Sequence, residues 1–157
     1  MLSEGYLQGA FYPALLDSVK KGEGCERIFE NPFQEEKDYY RKTGIFPLMH
    51  TVVIRDKILE KAPWAAESIY EAFKKSRDIG LKKLEDPRTS ALAWARKYLE
   101  EEKSLFGGSH WSYGLTGENL RALDKLQEYS LQQEIIPSIY DLEDLFVIST
   151  REETNRV

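Results

Sequence analysis

The sequence predicts a helix-rich α/β chain with few strands, and three observations predict it. Thr51-Val52-Val53-Ile54 is a β-branched run of strand character. Long stretches between residues 63 and 136 repeat apolar residues every three or four positions. Pro13, Pro32, Pro63, Pro87 and Pro137, with Gly44 and Gly107-Gly108, then divide the chain into short elements.

Taken in order, Leu7-Gln-Gly-Ala-Phe-Tyr-Pro13 is a short apolar run expected as a weak strand. The stretch from Asp17 to Pro32, with Gly22, Gly24 and Asn31-Pro32, is expected to be a surface connection. Gln34 to Lys42 forms a short polar helix stopped by Gly44 and carries Tyr39, Tyr40 and Arg41. The clearest strand lies between Pro47 and Arg55, apolar on both faces and therefore expected inside a sheet.

Pro63 suits a first helical turn, and Ala65, Ile69, Ala72, Phe73, Ser76, Gly80 and Leu84 form the expected inward stripe of the helix that follows. Asp86-Pro87 opens another helix, with Ala91, Trp94, Ala95, Tyr98, Leu99 and Leu105 inward, ended by Gly107-Gly108. Thr116 caps a helix running to about Ile136, with Leu120, Leu123, Leu126 and Tyr129 on its buried side and Pro137 as its stop. A short turn from Tyr140 to Phe146 precedes a polar tail at 149–157. Two strands against four or five helices leave the sheet short of partners.

At 157 residues, 41% apolar and 12% aromatic, the chain has the material for one core, over residues 1–148. Its charges are well mixed, with a net charge of −5 and no basic stripe, which argues against nucleic-acid binding. Cys25 is the single cysteine, so no internal disulfide forms, and with two histidines it does not complete a zinc knuckle. That usage suits a reducing cytosol. The first residues lack a basic start and an apolar stretch of leader type, and no run reaches membrane-spanning length, so a cytoplasmic chain is expected.

The segment Asp38-Tyr-Tyr-Arg-Lys-Thr-Gly-Ile-Phe-Pro-Leu-Met-His-Thr-Val-Val-Ile-Arg55 resembles the signature of the 4,5-dihydroxyphthalate decarboxylase-like family. The resemblance continues through Pro63-Trp64, Tyr70-Glu-Ala-Phe73, Trp111-Ser-Tyr-Gly-Leu115 with Asn119, and Glu143-Asp-Leu-Phe146, covering roughly residues 2 to 148. It implies the C-terminal part of a type 2 periplasmic-binding-protein-like fold, whose ligand lies between two lobes. Relatives are far longer, and Gln8 stands where they tend to carry an acidic pattern. The implied partners are a small aromatic carboxylate and a missing N-terminal lobe or partner chain, with a homo-oligomer as a further option.

The implied reaction is non-oxidative decarboxylation of a dihydroxylated aromatic dicarboxylic acid. It needs a cation on a carboxylate, an acid for the ring carbon that loses CO2, and help in ionising the hydroxyl para to it. No redox cofactor is intrinsically needed by that chemistry, and the residues name no cofactor or metal ligand.

His50 is the expected proton donor, because imidazole titrates near neutrality. It shares a strand face with Leu48, Val52 and Ile54, which equally suits a hydrogen-bonded core histidine. Arg41 suits a bidentate carboxylate clamp, aided by Thr43 and the backbone at Gly44, or else a solvated helix face. Tyr39 and Tyr40 point about 100° apart on a helix, so one of them, with Tyr40 as the candidate, faces the ligand while the other is core. His110, in the loop Gly107 to Gly114, either lines the pocket or belongs to a loop docked through Trp111 and Tyr113. Two other functions compete with catalysis: a substrate-binding or ligand-sensing protein of the transporter type, and an inactive fragment whose apolar surface needs a second chain.

Overall fold

The computed structural model describes residues 1–108 and 110–150, and the expected polar tail falls outside them from residue 151 onward. Two compact units divide the chain, Met1–Asp38 and Tyr39–Val157. The elements are helical: α1 (Asp17–Lys21), α2 (Pro32–Thr43), α3 (Asp56–Lys61), α4 (Ala65–Leu84), α5 (Ala95–Phe106), α6 (Gly117–Gln132) and α7 (Leu142–Leu145), with 3₁₀ turns at Pro87–Thr89 and Ile148–Thr150.

The expected α/β fold of the periplasmic-binding-protein type is overturned, because the described residues contain no strand. Residues 7–13 and 47–55 are irregular backbone. A strand exists only as one line of a hydrogen-bonded ladder, and among the described residues no backbone-to-backbone hydrogen bond involves residues 46–54. The β-branched run that promised a buried central strand instead leaves Val53 87% and Met49 81% exposed. Side-chain branching favours extended φ/ψ, but it does not supply the neighbouring strand.

In the first unit, the expected connection at 17–32 contains α1, which ends at Gly22 in the left-handed region with the Glu23 N–H returning to the Ser18 carbonyl at 2.9 Å. Asn31 begins α2 by accepting from the Gln34 N–H at 3.2 Å, ahead of Pro32 in the first turn.

The second unit is organised around α4, which contacts α3 and both 3₁₀ turns. Apart from Ala65 at its start, which is buried as expected, the face of α4 that is covered differs from the one its apolar spacing selects. Ala66 is 3% exposed and the Arg77 side chain 16%, whereas Phe73 on the expected stripe is 45% exposed. Arg77 is covered because its Nη1 donates to the Trp111 carbonyl at 2.8 Å and its guanidinium lies 5.3 Å from the Tyr113 ring. Beyond α4, Asp86 accepts from the Arg88 N–H at 3.0 Å, which makes a 3₁₀ turn where a helix start was expected, and α5 begins only at Ala95.

Helix α6 likewise buries polar groups. Its buried residues are Asn119, Ala122 and Gln127, while Leu126 and Tyr129 of the expected inward side are exposed. Gln127 brackets the residue before α7: its Nε2 donates to the Tyr140 carbonyl at 3.1 Å, and its Oε1 accepts from the Tyr140 N–H at 2.8 Å. Leu142 of α7 is buried, and the Asp141 side chain caps this short helix by accepting from the Glu143 N–H.

Candidate functional site

The last turn of α2, the C-terminal end of α5 and the loop before α6 converge on one aromatic cluster in the second unit. The Gly44 N–H closes α2 on the Tyr40 carbonyl at 2.7 Å, with Gly44 at φ 65, a conformation that a residue with a Cβ adopts only under strain. Thr43 completes the stop, donating its hydroxyl to the Tyr39 carbonyl at 2.7 Å and accepting from the Ile45 N–H at 3.1 Å. Its hydroxyl is thereby engaged in ending the helix. Ile45 is buried, and the chain beyond it presents Phe46 to the cluster.

From the other side, α5 ends at Gly107 in the left-handed region, φ 71, which reverses the chain and returns His110 onto Phe106. The two rings stack with centroids 3.9 Å apart at 25°. Phe46 meets His110 edge-on at 4.6 Å, Trp111 lies 4.8 Å from the imidazole, and the Tyr40 ring meets Phe106 edge-on at 4.5 Å. The edge-on and tilted pairs at 4.5 to 4.8 Å fall in the favourable range for aromatic contacts, and the His110–Phe106 stack is closer than that range.

Asn119 fastens the loop that carries His110. Its Nδ2 donates to the Ser112 carbonyl at 3.1 Å and to the Gly114 carbonyl at 2.7 Å. Thr116 caps α6 by accepting from the Asn119 N–H and shares a hydrogen bond with the Ser112 hydroxyl. Together with Arg77 on the Trp111 carbonyl, these bonds fix the loop through its backbone from two helices.

Burial holds the His110 imidazole below its ordinary pKa of 6.5, with Glu102 and Glu118 pulling the other way to a lesser extent. The ring is therefore neutral at neutral pH. A cavity of about 10 Å³, room for one water, is lined by Tyr40, Gly44, Phe46, His110, Glu118 and Asn119 among others.

Of the residues expected from the sequence, the cavity brings together Tyr40, Gly44 and His110. Thr43 lies just behind it in the helix stop. Arg41 is exposed on α2, and His50 is exposed on the irregular segment and is not among the lining residues. Sequence reasoning gave no role to Phe46, Phe106, Glu118 or Arg121. The Arg121 guanidinium runs beside two glycines: a Cβ placed on Gly44 would lie 3.9 Å from its Nε and Nη2, and one on Gly117 3.9 Å from its Nη1. The one hint in the sequence is that Arg121 follows Gly117 by four residues, which puts it above that glycine on one helix face.

In the first unit, a wider groove of about 720 Å³ opens broadly to solvent, with Arg27, Glu26 and Glu30 among its lining residues. Among the described residues no cluster of three or more His, Cys, Asp or Glu is arranged to hold a metal ion. Nor, among them, is any helix long and apolar enough to cross a membrane.

No protein-family profile matches the chain. A 4,5-dihydroxyphthalate decarboxylase of Comamonas testosteroni is 28% identical over 130 residues, a stretch that covers 80% of this chain and 38% of that relative. The chain thus spans well under half the length of the curated relative it matches, and resembles it at the level of a distant family likeness.

Proposed function

We propose that the chain supplies part of the active site of an aromatic-acid decarboxylase of the 4,5-dihydroxyphthalate type. The observation that carries this reading is the 130-residue likeness to that decarboxylase, which includes the stretches that meet at the aromatic cluster. Because the chain spans 38% of the relative, the proposed activity includes a further polypeptide portion that completes the cleft.

In such a reaction the bond between ring and carboxylate breaks, CO2 leaves, and the ring carbon takes a proton. Ionising the hydroxyl para to that carbon pushes electron density onto it. His110, kept neutral by burial, suits the base that accepts the hydroxyl proton. His50 is the proposed acid for the ring carbon, a role that requires the completing portion to cover residues 46–54. Tyr40 offers a phenol at the cavity wall, and the Gly44 backbone leaves the approach unobstructed.

The test measures CO2 released from 4,5-dihydroxyphthalate by the chain alone and by the chain mixed with the part of the relative it does not span. His50→Ala and His110→Ala versions run alongside. Release that needs both polypeptides and falls at least a hundredfold in either variant is the expected result. Binding without CO2 would replace this reading with a ligand-binding one, and neither binding nor release would end it.

A further inference from the structure

We infer that Arg121, beside Gly44 of the aromatic cavity, is the carboxylate-binding group of this chain. The ligand class is an aromatic carboxylate, seated with its ring against Phe46 and Leu48. The inference takes the nature of the ligand from the proposed decarboxylase reading and adds the residue that recognises it.

The cations of the second unit differ in what already holds them. Arg77 is bound to the Trp111 carbonyl and to Asp78. Lys125 is paired with Glu128, and Lys103 with Glu85. Arg121 makes no hydrogen bond and no ion pair among the described residues, although Glu118 stands one turn before it on α6; Arg55 and Arg96 are equally unengaged, and Arg121 is set apart from them by its place beside Gly44. A guanidinium carries five donors in a planar fork matched to a carboxylate, and here all five remain for a ligand.

Its position links it to the cavity. Gly44 is a wall of the cavity, and a Cβ placed on it would meet Arg121 Nε and Nη2 at 3.9 Å, as one on Gly117 would meet Nη1. Neither glycine projects a side chain over the fork. The φ of 65 at Gly44 disfavours any other residue there, so the open approach is a consequence of how α2 ends.

Size and charge then fix the pose. The cavity has room for one water, so a benzene ring does not enter and rests at the mouth, where Phe46 and Leu48 are partly exposed and apolar. Glu118 in the cavity wall repels a second carboxylate there. The anion is left to the Arg121 side.

The experiment titrates the full chain with phthalate and with catechol, which has no carboxylate, by calorimetry. Arg121→Ala, Arg121→Lys and Arg96→Ala versions, the last at an exposed arginine near the start of α5 and far along it from Phe106, are compared with the unaltered chain, and thermal melts check that each is folded. Phthalate affinity should fall about tenfold in Arg121→Ala, as expected for loss of a charge-assisted hydrogen-bonded pair. Arg121→Lys should lose less, Arg96→Ala should stay within about twofold, and weak catechol binding should be the same in all.

An unchanged phthalate affinity in Arg121→Ala overturns the inference. So does a parallel loss of catechol binding, which would mark a structural defect, and so does a lack of phthalate binding by the unaltered chain. Carboxylate binding that depends on Arg121, with no CO2 released even after the portion of the relative that this chain does not span is added, would sink the decarboxylase reading and leave this assignment standing.

Discussion

The loop at residues 110–116 and the segment at 46–54 sit at the same aromatic cluster and are held in opposite ways. In the loop, the Trp111, Ser112 and Gly114 carbonyls each accept a side-chain donor, from Arg77 or from Asn119. In the segment, the residues are more apolar and β-branched, yet among the described residues no backbone group bonds to another. Phe46 is fixed by its ring contacts, while Met49 and Val53 face outward. A stretch of chain is specified by partners for its backbone polar groups, and hydrophobicity without such partners leaves it unsettled.

The strongest way to break this comparison is to remove the loop's central fastener. Asn119→Ala deletes both donors to the Ser112 and Gly114 carbonyls and leaves a small void in a buried position. Two lost hydrogen bonds to partly buried carbonyls correspond to about 2–3 kcal/mol of unfolding free energy. Urea denaturation followed by tryptophan fluorescence would read the loss, because Trp111 is on the loop. A cost below about 0.5 kcal/mol would mean that water replaces the amide without penalty, and that the loop is not held in the way described.

The legible parts of the molecule are those set within one or two helical turns. Gly44, Gly107 and Thr116 mark the ends of α2 and α5 and the start of α6, because a cap acts on backbone groups two to four residues away. Tyr40, Gly44 and His110 were expected near a ligand, and they meet at the cavity because each lies at or just beyond such a helix end. The illegible parts depend on what arrives from elsewhere in the chain. Spacing alone does not reveal that Arg77 lies on the covered face of α4, since its acceptor is a carbonyl 34 residues away. Asn119 read as a motif residue without a task until the loop backbone came to it. The β-branched run at 51–54 indicated a strand inside a sheet of the periplasmic-binding-protein type, and the described residues provide no ladder for it.

A smaller effect should follow from acid, through His110. Its folded-state pKa lies below the ordinary 6.5 because burial disfavours the charged ring. Between those two values the unfolded chain binds more proton than the folded one, so stability rises with pH across that window. The contribution is fully present above 6.5 and is lost as pH falls through the folded value. The negative charges of Glu102 and Glu118 moderate the shift. Comparing the unaltered chain with His110→Gln between pH 7 and pH 5 isolates it: the unaltered chain should lose more stability over that range. Parallel curves would show that the imidazole is as hydrated in the folded chain as in the unfolded one.

The smallest effect is expected in the other half of the comparison. Val53→Thr replaces a side chain that is 87% exposed and touches a backbone without a ladder. Unfolding free energy should change by no more than about 0.5 kcal/mol, the usual range for a surface position. The amides of residues 48–54 should exchange with solvent far faster than those within α6. A loss above about 1 kcal/mol, or slow exchange that strengthens as protein concentration rises, would mean that the segment acquires a backbone partner in solution. In that case the contrast between the two regions would hold only for the separated chain, and His50 would lie in a covered strand where proton donation to a bound ring becomes geometrically open to it.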